Sequence, residues 1–579
     1  MSTKPELIDG GELIARTLQR AGVRRIHALH GGHLESFYRG CRNHNIELMD
    51  FRHEASAGHA ADGHARTTGE LGVCVVTAGP GYLNMLSAAV NAQLEGSPTL
   101  FIVGAPPLRE DETSPLQGGF DQVAMALSCL KWAHRITHTE RIPDLLAMAI
   151  RKATTGRCGA VLVEVPIDVL HISVNVAEVT SPSGLAVRPR PAPSASEIKA
   201  AIEILHKAKR PVVICGSESR FAQCQSDLES FARLCGIPVV SNARAFGMLP
   251  FDHPLNGGEA GNLAMLGALG RPRPDAVLLL GAKMGMSLGG RGAAILPDDA
   301  AVIQVSADPS EIGRIRDVAV PIAADCGSAV AALLQAAREV SWPDRGDWVQ
   351  EIVALKHNHA RMHGDVAVHC GIHPYQASVA VVEAAGPEAI YVLDGGETGQ
   401  WAAHAVRVNG PGQFSTTGYL GLLGAGMGLA IGAQMARPDR RVVQIAGDGA
   451  VGFHLQELDT MMRHRLPIVT VVMNNRMWGM SLHGQQLLYG RDYEAISRLS
   501  DETSYARIAE GFGCYAETVT RLEDVGAAVT RALGTHRPAC IDVRTDPDVV
   551  HPRMHAMLKP SETGEVVIPY YESIPKRTV

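Results

Sequence analysis

The sequence predicts an α/β protein built from three doubly wound domains with parallel sheets. Residues 1–180 alternate short apolar runs with segments of helical spacing, which is the pattern of strands and helices in such folds. The same alternation recurs in residues 190–340 and again in residues 365–548. A chain of 579 residues is also too long for a single hydrophobic core. We therefore expect three domains and a C-terminal tail, residues 549–579.

In the first domain, strands and helices follow one another from the N-terminus. Short apolar runs predict the strands, and small or apolar residues at helical spacing predict the helices between them. The predicted helices are 12–21, 54–66 and a segment that ends near residue 94, and the predicted strands are 25–29, 46–49, 73–76, 99–103 and 160–165.

The second domain begins after a predicted linker. Residues 180–196 are rich in Ser, Pro and Arg and have no periodicity. Ser194 and Glu197 then form the capping-box pattern that begins a helix. Residues 306–309 follow a strand as a nucleotide-binding loop would, but no G-x-G-x-x-G motif is present, so we favour a structural domain. The predicted strands are 212–215, 237–241, 276–280 and 302–305.

Composition makes several classes of protein improbable. A net charge of −7 and a pI near 6.4 provide no basic field for nucleic acid. The eleven cysteines are dispersed and lack a C-x-x-C motif, which is typical of reduced thiols in a cytoplasmic protein. No apolar run has membrane-spanning length and the N-terminus lacks a secretory pattern, so we expect no membrane association.

The third domain contains a stretch whose polar residues have a defined place in the predicted sheet. The apolar runs 441–446 and 468–473 predict two buried strands, and the segment between them has helical spacing. A strand, helix and strand in this order form a parallel crossover. Asp448 and Asn475 each follow one of the two strands, so both are expected at the edge where parallel sheets bind ligands.

These residues form an oxygen ligand set. The Asp448 carboxylate, the Asn475 amide and the backbone carbonyl of Met477 suit a Mg²⁺ ion that takes its other ligands from a diphosphate and water. Gly447 and Gly449 let backbone N–H groups approach phosphate oxygens closely. The alternative is that both turns merely close two core strands, but two oxygen ligands joined by one crossover favour a metal site.

The Gly447-Asp448-Gly449 turn, followed by Asn474-Asn475, resembles the signature of thiamine diphosphate (ThDP) enzymes. The resemblance implies ThDP and Mg²⁺ as cofactors, with Ala450 beside the metal turn also in contact with ThDP. It implies a pyrimidine-binding first domain, a middle domain and a diphosphate-binding third domain.

Several motifs resemble benzaldehyde lyase in particular. They are GGELIARTL, LHGGH, RHEASAGHAADGHAR, LREDETSPLQGGFDQVAMA, KWAHR and WPDRGDW. The resemblance implies a carbon–carbon lyase and carboligase that cleaves 2-hydroxy ketones or forms them from aldehydes. The alternatives are a 2-hydroxyacyl-CoA lyase, which would take acyl-CoA, and an acetolactate-synthase-like enzyme.

Glu54 is the principal catalytic candidate. By itself it is most simply a charge stabilised by the N-terminus of the helix that it begins. The resemblance implies that it hydrogen-bonds N1′ of the ThDP aminopyrimidine. It also implies that His33 and Gln117 face the reacting carbon and relay the proton of the substrate hydroxyl, a role that suits a histidine near neutral pH.

Further residues are predicted to contact the cofactor. Gly396, Glu397 and Thr398 follow the strand 390–393, and their amides are placed to cradle a diphosphate. The resemblance implies that Gly421 offers a backbone contact to the pyrimidine and that Leu423 is the apolar wedge that keeps ThDP bent. Such a wedge would pre-organise the cofactor.

A substrate pocket completes the prediction. His30 and Gly32 belong to the LHGGH turn. Ile167, Gly399 and Gly484 stand where benzaldehyde lyase has aromatic residues, and Met480 replaces a smaller residue. These differences predict a pocket of different shape. The predicted pocket residues are His30, Gly32, Ile167, Gly399, Met480 and Gly484. Because Glu54 and Asp448 lie on different domains, the resemblance implies a homotetramer with active sites at the dimer interface. The tail is expected to be a surface extension, with a lid or an arm that contacts a partner as the alternative.

Overall fold

The computed structural model describes residues 6–185 and 188–557. Most of the predicted tail, residues 558–579, lies outside the described residues. The described part of the chain forms two compact units. The first runs to Pro189 and includes Thr417–Asp439 and Phe453–Ile468, and the second comprises Arg190–Thr416, Arg440–Gly452 and the chain from Val469 onward. In the described ranges, no helix has both the length and the apolar character needed to cross a membrane.

The first domain is the predicted parallel sheet flanked by helices. Its strands are β1 (Leu7–Asp9), β2 (Arg25–Ala28), β3 (Glu47–Asp50), β4 (Gly72–Val76), β5 (Thr99–Ala105), β6 (Trp132–Arg135), β7 (Ala160–Pro166) and β8 (Ser173–Asn175), and its helices are α1 (Gly10–Arg20), α2 (Glu35–Asn43), α3 (Glu54–Thr68), α4 (Pro80–Glu95), α5 (Gln122–Leu127), α6 (Ile142–Thr154) and α7 (Ile167–His171). The six-stranded sheet has the order β3-β2-β4-β5-β7-β6, and β1 pairs with β8 separately. The edge strand β6 was not predicted, because it is short and only partly buried.

The middle domain is also a six-stranded parallel sheet. Its strands are β9 (Pro211–Cys215), β10 (Val239–Ser241), β11 (Asn256–Glu259), β12 (Ala276–Leu280), β13 (Ala301–Ser306) and β14 (Val320–Ala323), and its helices are α8 (Ala195–Lys207), α9 (Ser217–Phe221), α10 (Gln225–Cys235), α11 (Ala264–Ala268) and α12 (Cys326–Ala337). The strand order is β11-β10-β9-β12-β13-β14. The predicted capping box of Ser194 and Glu197 begins α8. Glu218 accepts hydrogen bonds from the Ser306 hydroxyl and the Ala307 N–H, so this loop is engaged within the domain.

The third domain follows two connecting helices, α13 (Gly346–Leu355) and α14 (Asn358–His363). Its strands are β15 (Ile390–Asp394), β16 (Phe414–Thr416), β17 (Val442–Gly447), β18 (Val469–Asn474), β19 (Tyr515–Val519) and β20 (Ala539–Arg544), and its helices are α15 (Pro374–Ala385), α16 (Glu397–Ala405), α17 (Ala425–Ala436), α18 (Asp448–Val451), α19 (Glu457–Arg463), α20 (Gly479–Tyr489), α21 (Tyr505–Gly511) and α22 (Leu522–Gly534). The parallel sheet has the order β16-β15-β17-β18-β20-β19, so the doubly wound fold class is confirmed.

The first residues of the predicted tail pack against the third domain and do not form a surface extension. A short helix, α23 (Pro552–Met557), follows the third domain. His551 and Met554 are buried, and Met554 packs against side chains of α20. The segment lacks a clear helical period in the sequence because α23 has fewer than two full turns, so its packing could not be predicted.

Helices α3 and α17 belong to the first unit and pack against each other at unusually close range. A Cβ on Gly428 would lie 2.6 Å from the carbonyl oxygen of Ser56, and a Cβ on Gly432 would overlap that of Ala60. A Cβ on Gly63 of α3 would overlap the backbone of Leu429. The glycines are therefore required because any side chain would push the two backbones apart.

We expect Gly432→Ala to destabilise the first unit by about 1–3 kcal/mol, the usual cost of overpacking a core. The thermal unfolding midpoint, followed by circular dichroism, should fall. Gly526→Ala is the matched control: it lies within α22, where a Cβ would be 3.7 Å from the carbonyl oxygen of Ala380, an ordinary contact. Its midpoint should stay or rise, since alanine favours helix. Equal losses in both variants would contradict the close-packing interpretation.

Candidate active site

The predicted metal turn forms at the carboxyl edge of the third sheet. Strands β17 and β18 are parallel neighbours, with Gly447 opposite Met473. Asp448 begins α18, and its carboxylate is only 2% exposed. One oxygen accepts a hydrogen bond from the Gly449 N–H at 2.9 Å and the other from the Arg476 N–H at 2.7 Å. The crossover thus brings the end of β18 to the Asp448 side chain.

The electrostatics of Asp448 fit a cation. Burial raises the pKa of this carboxyl to about 7, and the backbone hydrogen bonds offset only part of that effect. Within residues 6–185 and 188–557, no cationic side chain pairs with it. A divalent cation would supply the missing positive charge and favour the ionised carboxylate.

Asn475 and Met477 lie directly beyond β18. The Asn475 side-chain oxygen accepts a hydrogen bond from the Met477 N–H at 3.3 Å, so the two residues form one tight turn. In the described ranges, no three His, Cys, Asp or Glu side chains converge on a metal position. One carboxylate completed by amide, carbonyl and cofactor oxygens therefore fits this donor set.

The predicted diphosphate cradle lies beside the metal turn. Strand β15 pairs with β17, with Asp394 opposite Ala446, and α16 begins at Glu397 just after β15. A Cβ on Gly447 would lie 3.2 Å from the Thr398 hydroxyl, so the two turns are adjacent. The N–H groups that begin α16 have no partner within the helix, and a diphosphate would satisfy them.

In the first unit, Glu54 is the first residue of α3 and is 8% exposed. Its carboxylate accepts a hydrogen bond from the Asn84 amide of α4 at 3.0 Å. His53 caps the same helix by accepting from the Ala55 N–H at 3.1 Å. The cap and Asn84 together orient the carboxylate. No pattern in the sequence pointed to Asn84.

The structure brings His33 and Gln117 together through Thr77. Nδ1 of His33 lies 3.2 Å from the Thr77 hydroxyl, which donates to the Gln117 side-chain oxygen at 3.3 Å. Because the hydroxyl proton points to Gln117, Nδ1 of His33 must donate, which leaves a lone pair on Nε2. Burial lowers the pKa of His33 below its ordinary value of 6.5, so the ring is neutral near pH 7.

The other predicted contacts occupy varied surroundings within their own units. His30 is exposed, with Nε2 2.9 Å from Glu35, and Gly32 has open space on its Cβ side. In the second unit, the Met480 sulfur would lie 3.0 Å from a Cβ on Gly396. Three of the remaining residues lie in the first unit: Ile167 is partly buried at the start of α7, and Gly421 (exposed) and Leu423 (partly buried) lie just before α17. The other three lie in the second unit: Gly399 is partly buried in α16, and Ala450 in α18 and Gly484 in α20 are buried.

Family models match all three domains. They are the thiamine pyrophosphate enzyme N-terminal TPP binding domain over residues 8–125, its central domain over 198–333 and its C-terminal TPP binding domain over 394–543. A "Probable acetolactate synthase" of Mycobacterium bovis is 31% identical over 95% of this chain and 98% of the relative. The chain belongs to the thiamine diphosphate enzyme family.

Other members of the family are similar over the same length. The "Acetolactate synthase large subunit" of Corynebacterium glutamicum is 31% identical over 93% of this chain and 87% of the relative. The "Acetolactate synthase isozyme 2 large subunit" of Escherichia coli is 28% identical over 93% of this chain and 95% of the relative. Membership confirms ThDP as the cofactor of this enzyme, with Mg²⁺ as the usual partner metal.

We expect Asp448→Asn to weaken Mg²⁺-dependent ThDP binding by about 2–3 kcal/mol, roughly 30- to 150-fold, because the charged metal ligand is lost. Titration of tryptophan fluorescence with ThDP at fixed Mg²⁺ measures this. The apoenzyme should still fold, because the substitution removes a buried carboxyl group whose charge is unfavourable without the metal. Asp298→Asn is the control, because its side chain is 80% exposed. Unchanged ThDP affinity in Asp448→Asn would rule out the proposed ligand.

Proposed function

We propose that this ThDP enzyme is a carboligase of the acetolactate synthase type, which releases carbon dioxide from one 2-oxo acid and transfers the remaining acyl group to a second carbonyl compound. The observation that carries the proposal is the similarity to proteins named acetolactate synthase along nearly the whole chain, at 31% identity. All three domains take part in this similarity, including the parts beyond the cofactor turns. Acetolactate synthase was one of the alternatives that the sequence left open.

The chemistry divides between cofactor and chain. When bound, ThDP supplies a nucleophilic carbon that adds to a substrate carbonyl. Glu54, oriented by Asn84, would hold the aminopyrimidine through its buried carboxylate. Asp448, Asn475 and Met477 would hold the Mg²⁺ ion, which would offset the charge of the diphosphate. His33 moves a proton at the oxygen that becomes the product hydroxyl, since its Nε2 carries the lone pair.

A second candidate is a lyase and carboligase that acts on 2-hydroxy ketones, as the resemblance to benzaldehyde lyase implies. The chain from His33 through Thr77 to Gln117 favours it. Cleavage of a 2-hydroxy ketone must remove the hydroxyl proton as the carbon–carbon bond breaks, and a neutral histidine suits that step. The homotetramer, the domain boundaries and the cytoplasmic location remain predictions.

A substrate panel tests the proposal. The enzyme with ThDP and Mg²⁺ is incubated separately with pyruvate, benzoin, acetoin and a 2-hydroxyacyl-CoA, and products are identified by mass spectrometry. Acetolactate and carbon dioxide from pyruvate are the expected result. Cleavage of benzoin or acetoin without turnover of pyruvate would favour the second candidate, and cleavage of the acyl-CoA alone would favour a 2-hydroxyacyl-CoA lyase.

We expect Glu54→Gln to lower kcat by about 100-fold or more at saturating ThDP. The aminopyrimidine ring of ThDP would lose the carboxylate that shifts its charge. Steady-state rates on whichever panel substrate is turned over measure the effect. Glu70→Gln, an exposed residue just beyond α3, is the matched control and should retain the wild-type kcat. Full activity in Glu54→Gln would show that this carboxylate has no catalytic role.

The lowered pKa of His33 predicts a pH profile. Because the neutral ring is the active form, kcat/KM should fall on acidification only below pH 6.5, as the ring becomes protonated. His33→Ala should lose this acidic limb and lower kcat roughly 100-fold, within the range of general acid–base catalysis. Rates from pH 5 to 8 provide the measurement. An acidic limb that persists unchanged in His33→Ala would assign it to another group.

A further inference from the structure

A buried ion pair lies next to the diphosphate cradle in the second unit. The side chains of Glu397 and His483 are 6% and 3% exposed, and Oε2 of Glu397 lies 2.6 Å from Nδ1 of His483. Glu397 is the first residue of α16, and His483 lies in the middle of α20. The carboxylate of Glu397 is thus turned into the protein, while its backbone N–H remains in the predicted cradle.

His483 is held at both ring nitrogens by acceptors. Its Nε2 lies 2.8 Å from the carbonyl oxygen of Pro547, which can only accept a hydrogen bond. With a carboxylate at Nδ1, the arrangement is that of an imidazolium ion that donates twice. Burial opposes this charge, but the hydrogen bond and charge of Glu397 outweigh it and raise the pKa of His483.

The C-terminal segment is the third partner of the pair. The other carboxylate oxygen of Glu397 accepts a hydrogen bond from the backbone N–H of His551 at 3.0 Å. Three residues later, fully buried Met554 packs against Met480, Leu487 and Leu488 of α20. Polar and apolar contacts therefore join residues 547–554 to both α16 and α20.

The pair also lies close to the residues that hold the cofactor. A Cβ on Gly479 would lie 3.1 Å from Oε2 of Glu397 and 2.8 Å from the amide nitrogen of Asn475. Glu397 is therefore separated from the metal-ligand turn by one glycine. Met480, the next residue, covers Gly396 of the cradle.

We propose that Glu397 and His483 are positioning residues that lock the cradle turn, the metal-ligand turn and residues 547–554 into one arrangement competent to bind ThDP. A carboxylate that accepts hydrogen bonds from an imidazolium on one side and from a backbone N–H on the other fixes the start of α16 against the middle of α20. The C-terminal segment then contributes to cofactor binding through the pair, without touching the cofactor. This inference rests on the proposed function, because it concerns the same cofactor site.

The test compares Glu397→Gln, His483→Gln and the double variant as full-length enzymes. The readouts are the ThDP concentration for half-saturation, from fluorescence titration with Mg²⁺, and kcat at saturating ThDP. Each single variant should raise the half-saturation concentration about tenfold while kcat stays within about threefold, since the site forms once enough ThDP is present. The double variant should resemble the singles, because the two residues act as one unit.

Controls separate positioning from folding. Circular dichroism and the unfolding midpoint of each apoenzyme show whether the variant folds. Glu229→Gln is the matched control, because Glu229 pairs with buried His253 at 3.2 Å in the middle domain and should leave ThDP binding unchanged. Met554→Ala keeps the ion pair but loosens the C-terminal segment, and should also raise the half-saturation concentration.

Three results would overturn the proposal: wild-type ThDP affinity in both single variants, effects that multiply in the double variant, or an equal loss in Glu229→Gln. If the singles do not fold, wild-type ThDP affinity in Met554→Ala overturns it, and a several-fold loss supports it. An enzyme that binds ThDP as expected but forms no acetolactate would defeat the proposed function alone.

Discussion

The carboxylate of Asp448 is almost fully withdrawn from water and is held by two backbone N–H groups from separate parts of the chain. Such a group is costly to ionise until a cation arrives, as its raised pKa indicates. The parallel crossover makes the position unavoidable, because β17 and β18 must end at the same edge. The turn at Asn475 is held to this desolvated group through the Arg476 N–H, and the cradle that begins α16 lies beside the same turn at Gly447.

The first unit follows a different principle. Its candidate residues are neutral or singly hydrogen-bonded and are oriented by short side chains, with Thr77 between His33 and Gln117 and Asn84 beside Glu54. The hydrogen bonds of this unit determine which nitrogen of His33 carries its proton and in which direction the Glu54 carboxylate points. Taken separately, the second unit is marked by a buried charge at Asp448 and the first unit by hydrogen bonds that orient Glu54 and His33.

The site residues that could be predicted are those marked by their position in the sequence, either directly after a predicted strand or within a known motif. Asp448 and Asn475 were predictable because they follow strands whose topology dictates a shared edge, and Glu54 because it belongs to a recognisable motif. Thr77, Asn84 and His483 were not predicted, since each acts through a hydrogen bond to a residue distant in the sequence and no periodicity marks them. The resemblance to benzaldehyde lyase rested on motifs of the first domain and on WPDRGDW before the third, whereas the relatives named acetolactate synthase align along nearly the whole chain.

The contact of α3 with α17 has a consequence for how the family can vary. The whole middle domain lies between these helices in the sequence, yet their backbones meet without a side chain between them. Glu54 begins α3 and Leu423 lies just before α17. Because the two helices are in direct backbone contact, the distance between these residues is fixed. Insertions and deletions in the intervening chain can accumulate in loops over evolutionary time without disturbing that spacing.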